Sequence, residues 1–166
     1  MNADMVVEFG RAAKLFRSEI EGADVAEAGA SYARRLRNSL ARVYLAAVLL
    51  DRPAFVDGED APGVDVTQGL DLEKAVRARL GSADTFLDVW DPTEATTGDP
   101  IERTLAGELV EIYEDLGVAL ALLAEERPGA LWDIAEAFEG HWGKHAVDVL
   151  RPLHHLAHLG VHGIDY

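Results

Sequence analysis

Two long stretches of apolar residues spaced three and four apart meet at Arg127-Pro128-Gly129, and this constrains the chain more than any other feature. Ile101, Leu105, Ile112, Leu116, Ala119 and Leu123 fall on one face of a helix. Leu131, Ala135, Phe138, Trp142, Val149, Leu153 and Leu156 do the same beyond the Pro-Gly stop. A connection this short turns two helices back on one another, so they are expected to form an antiparallel hairpin. A hairpin alone cannot bury both stripes, and the N-terminal half must supply the cover.

That half is also read as helical. Val6, Phe9, Ala13, Phe16 and Ile20 give one apolar face over Ala3–Ile20. Asp24 is a candidate cap for a long helix over Val25–Leu50, whose second half is apolar nearly all round and is expected at the centre. Its Arg34, Arg35, Arg37 and Arg42 are read as a solvated or salt-bridged face, with an anion contact as the alternative. Asp51–Val66 holds Pro53, Gly58, Pro62 and Gly63 and is read as a long loop. A third helix is expected over Leu70–Leu80 with Gly81 as its stop. Ser82–Gly98 is read as a second long loop. Its apolar Thr85–Pro92 stretch is read as a flap on one end of the core, with a lid over a site as the alternative. Helix four is expected to begin at Asp99-Pro100-Ile101-Glu102, which offers a cap, a first-turn proline and first-turn acid. Pro152 predicts a kink or break. The expected fold class is all-α, a single domain over 1–166, bundle-like, with about five helices and two long loops.

Composition narrows the function classes. The formal net charge of −15 argues against nucleic acid and anionic membrane surfaces as partners. No cysteine is present, which excludes disulfides, thiolate catalysis and cysteine-ligated zinc. The first residues show no basic, apolar leader pattern, and the longest apolar run, Val43–Leu50, is short of the ~20 residues of a membrane span. The expectation is a cytoplasmic monomer or homodimer with an unidentified protein partner.

All six histidines lie between His141 and His162. Asp115 and His141 are equally far along the chain from Pro128. So are Glu111 and His145, and so are Glu108 and Asp148. Equal helical rise places each pair level across the expected hairpin, and each set is a three-and-four stripe on its own helix. A seam of two imidazoles and three or four carboxylates follows. Its plain reading is a hydrogen-bonded layer that fixes helix register, in a non-catalytic binding protein without a cofactor. The alternative is a divalent metal site, zinc or iron, with His141 and His145 as chelating pair and Glu111 or Asp115 completing the shell, in a metal-binding protein or metal-dependent enzyme. A third reading is phosphotransfer at His141, four positions of His-x-x-Lys ending at Lys144. Gly140 and Gly143 flank His141 and Trp142 and are expected to mark close backbone approach, by a helix or a ligand. Trp142 itself is read as core. His154, His158 and His162 form a separate stripe, read as solvated. No Gly-x-Ser-x-Gly or phosphate-loop pattern occurs.

Phe138-Glu-Gly-His-Trp-Gly-Lys-His, with Leu150-Arg151 and Leu153-His154 beyond it, resembles the C-terminal signature of an uncharacterised bacterial helical family, domain of unknown function 5063. Glu108–Leu116 resembles that family's Asp-Ile-Tyr-x-Asp-Leu segment, and Val89-Trp-Asp-Pro92 its Val-Phe-Asp-Pro loop. The resemblance spans Phe86–His154; Pro152 departs from it. It implies a helical fold and adds Trp90, Trp142, Asp148, Arg151, His154 and Glu108 as candidate functional positions. It implies no activity.

Overall fold

The computed structural model describes residues 3–22, 29–55, 66–89, 99–127 and 129–159. Its helices are α1 (Ala3–Glu21), α2 (Gly29–Val48), α3 (Val66–Leu80), α4 (Leu105–Ala124), α5 (Ala130–Ala137) and α6 (Gly143–Leu159). A π-turn, Phe138–Trp142, joins α5 to α6, so the pair reads as one long helix with a wide turn in it. The all-α expectation of about five helices holds on that count.

The apolar stripes explain the packing. Phe9, Phe16 and Ile20 of α1 meet Tyr32, Leu36, Leu40 and Val43 of α2, Leu105, Ile112 and Leu116 of α4, and Trp142, Val149 and Leu153 of the last helix in one buried cluster. Tyr113 ties α4 to α1: its hydroxyl donates to Glu21 at 2.8 Å, and the Arg17 guanidinium stacks on its ring at 3.7 Å. Burial, and then the Glu21 carboxylate, pushes this phenol up to about 12. Arg35–Glu19 and Arg42–Glu8 ion pairs join α2 to α1, so two of the four arginines form the salt-bridged face expected of them.

Several local expectations are corrected. Ile101–Thr104 is not the first turn of helix four. It is a strand, β2, paired antiparallel with β1 (Thr85–Asp88). Thr85-Phe-Leu-Asp is therefore half of a β-ribbon and not an irregular flap. The cap of α4 is Thr104, whose side chain accepts from the Gly107 amide, and Ile101 is exposed outside the stripe. Asp-Pro suits the lead-in to a strand as well as to a helix, and cross-strand pairing decided between them. The third helix starts at Val66 rather than Leu70. The second half of α2 is buried on one side only: Leu40, Val43, Ala46 and Ala47 are covered, whereas Leu45, Val48 and the following Leu49 are exposed. Pro152 does not break the helix, which continues to Leu159; buried Val149, Leu153 and Ala157 hold it on either side of the proline. Asp24, Trp90, Pro128, His162 and most of both long connections lie outside the described residues.

Candidate functional site

The seam forms where α4 faces the π-turn and α6. His141 Nδ1 lies 2.7 Å from Asp115 Oδ2, one of the level pairs expected from the count about Pro128. His145 Nε2 lies 3.3 Å from Glu111 Oε2, a second level pair. The third does not meet directly. Glu108 instead takes His145 Nδ1 at 2.5 Å and Arg103 Nη1 at 2.7 Å, while Asp148 accepts from Lys144 at 2.6 Å. Glu108 and Asp148 are both anions, and each has found a cation within reach.

The tautomers follow from these contacts. An ionised carboxylate only accepts, so both Nδ1 atoms, facing Asp115 and Glu108, carry the proton. In the neutral rings the lone pairs of the two Nε2 atoms are left to the other edge; a charged ring carries a second proton there. Those two atoms face one another at 3.3 Å, with the rings edge-on at 71°. Glu111 Oε2 closes the group, and the three donor atoms lie within 4.8 Å of each other. His145 is largely enclosed, its side chain 13% exposed, whereas His141 and Glu111 are 54% and 50% exposed. One side of the group therefore opens to solvent.

The electrostatics fit this layout. The Glu108 hydrogen bond holds the His145 imidazole above its ordinary value, against the opposing effect of burial. Burial pushes Glu108 up, but hydrogen bonds from His145 and Arg103 outweigh it and hold the carboxyl below the usual range. Glu114, beside the site, is pushed up by burial and then by the charges of Glu111 and Asp115.

The π-turn sets where His141 stands. Gly143 approaches the Phe138 carbonyl so closely that a Cβ there would lie 2.4 Å from the oxygen and 2.9 Å from the ring. Its glycine thus admits the wide turn, and the nearest atoms to such a Cβ all belong to Phe138. At Gly140 a Cβ would meet open space, so no neighbouring helix makes the close approach expected there. Trp142 is fully buried against Phe138, with ring centroids 4.8 Å apart, and serves the core. Turns of this kind often accompany functional sites.

The other candidates disperse. Arg151 Nη2 donates to the Leu87 carbonyl at 3.3 Å and holds the ribbon against α6. His154 and His158 are exposed on the far face. Lys144 is engaged with Asp148 and, at 3.8 Å, Asp88, and His141 turns its free nitrogen to His145, an arrangement that lends phosphotransfer no support. Two participants were missed in the sequence: Arg103 on β2 and Asp88 on β1, 3.1 Å apart. The signal for them was the β-branched and aromatic content of Thr85-Phe-Leu and Ile101–Thr104.

A family model for a domain of unknown function, DUF5063, matches residues 2–158. The chain belongs to this family. It is similar to the crystal structure of protein BF1032 from Bacteroides fragilis, with a TM-score of 0.75 and 22% identity over 92% of this chain and 91% of that one. That likeness is one of fold. No curated protein gave a match. No described helix is long and apolar enough to cross a membrane.

Proposed function

We propose that this DUF5063 protein binds a divalent transition metal, zinc or iron(II), through His141 Nε2, His145 Nε2 and the Glu111 carboxylate. One observation supports this above the others. The Nδ1 atom of each imidazole faces a carboxylate and the two Nε2 atoms stand 3.3 Å apart, so in neutral rings their lone pairs would face each other. Two acceptors do not rest in such contact without a positive charge between them, either an extra proton or a metal ion. For a tetrahedral ion with ligands at about 2.0–2.1 Å, neighbouring donor atoms stand about 3.3–3.4 Å apart. The Nε2–Nε2 and Nε2–Oε2 separations, both 3.3 Å, match two such edges.

The outer contacts are those of metal-bound histidine, with a carboxylate on each Nδ1 fixing tautomer and ring orientation. Asp115 thus serves as the support of His141 rather than as a ligand. Three protein donors and an open side leave at least one coordination position for water or another small ligand, as in catalytic rather than structural zinc sites. Nitrogen and oxygen donors favour borderline ions over calcium or magnesium.

Elemental analysis of untagged protein, with zinc and iron(II) titrations of the wild type and of His141→Ala/His145→Ala, tests this. Near-stoichiometric metal, lost in the double variant, is the expected result. A wild type that takes up no metal, and a double variant that is merely less stable, would return the seam to a register-fixing polar layer held by a shared proton.

A further inference from the structure

We infer that the β-ribbon is the outer support of this metal site, with Arg103 and Asp88 as positioning residues that act on His145 through Glu108; the inference rests on the metal reading above. Each Glu108 oxygen has one tight partner, Arg103 Nη1 on Oε1 and His145 Nδ1 on Oε2. The carboxylate is 8% exposed, so water does not readily replace either partner. Arg103 is paired in turn with Asp88 by charge: Asp88 Oδ2 lies 3.1 Å from Arg103 Nε, without the alignment of a hydrogen bond.

The ribbon's register makes that contact. Asp88 pairs with Ile101 and Phe86 with Arg103, so Asp88 and Arg103 are diagonal neighbours on one face. Asp88 also lies 3.8 Å from Lys144 Nζ, and Arg151 donates to the Leu87 carbonyl. Both anchors belong to α6, the helix that bears His145. The contacts Asp88, Arg103, Glu108 and His145 thus run unbroken from the ribbon to a ligand atom.

An imidazole held by a single flexible carboxylate can still swing about its own axis, because that carboxylate can turn with it. Fixing the second carboxylate oxygen removes this freedom. The planar guanidinium suits the task, since it donates to Glu108 through one nitrogen while its charge stays beside Asp88. A lysine supplies the charge but not the fork. Loss of such outer contacts typically weakens metal binding about 10–100-fold.

The test is a cobalt(II) titration followed by its ligand-field absorption, on wild type, Arg103→Met, Arg103→Lys and Glu102→Gln. Glu102 is exposed on the same strand and serves as the control. Arg103→Met is expected to bind about 10–100-fold more weakly with displaced absorption bands. Arg103→Lys should recover part of the affinity, and Glu102→Gln should match wild type. If Arg103→Met does not fold, Arg103→Lys bears the test alone, with weaker binding and displaced bands expected. Wild-type affinity and bands in the Arg103 variants would overturn the positioning role and leave the metal reading intact. Weaker binding with unmoved bands would also overturn it, since a loosened fold alone explains that result. A wild type that binds no cobalt would remove the metal reading itself.

Discussion

His145 and Glu108 dominate at the residue scale because burial makes their charges interdependent. The folded carboxyl is held low and the folded imidazole high, so the sign of each contribution differs. Glu108 stabilises the fold above its unfolded value of about 4.3 and loses this as pH falls through its lower folded value. His145 stabilises it below about 6.5 and loses this as pH rises through its higher folded value. Without metal, the pair should therefore stabilise most between these limits. Urea denaturation in chelator from pH 5.5 to 8.5 should show wild type losing stability relative to His145→Ala as pH rises. At pH 5.5 the variant should be less stable by about 1.5–3 kcal/mol, the usual worth of a charged hydrogen bond. A difference independent of pH would mean that the imidazole is not charged in the fold. Zinc should reverse the slope, because it competes with the proton for Nε2.

At the scale of elements, the π-turn and the ribbon decide the site. Gly140 and Gly143 make a matched experiment in the turn. Gly140→Ala enters open space and should stabilise by about 0.5–1 kcal/mol through reduced unfolded-state freedom. Gly143→Ala meets the Phe138 carbonyl and ring and should destabilise by about 1–3 kcal/mol. It should also lower zinc affinity, since the turn that places His141 must shift. Thermal melts and zinc titrations of the two variants check both signs, and equal effects would mean that the turn is not held at Gly143. At the α4 cap, Thr104→Ala should cost about 1 kcal/mol. Substituting Asp99 should leave that helix end unaffected, since the strand lies between. Denaturant midpoints of the two variants separate these positions of the helix start.

On the scale of the whole molecule, the proposed metal and the fold would share one equilibrium. The proposed ligands come from α4 and the last helix, so an ion that bridged them would oppose unfolding. Free zinc at 100 times its Kd should add about 2.7 kcal/mol, or roughly 5–10 °C in Tm for a chain of this size. The His141→Ala/His145→Ala protein should show no such rise. The apolar periodicity determined the helices and the hairpin of the last two, because an amphipathic stripe has few ways to leave water. Equal rise per residue then put Asp115 beside His141 and Glu111 beside His145, and both contacts are present. The β-ribbon was hidden because strands of four residues carry too little periodicity and owe their existence to a distant partner. Exposure along α2 was hidden as well, since only neighbouring helices determine which apolar residues are covered. Sequence alone therefore determined most of the helices and two of the three level pairs. Tertiary structure decided that Glu108 turns to Arg103 and His145, and that the two Nε2 atoms face each other, because hydrogen-bond direction is set by backbones brought together from far along the chain.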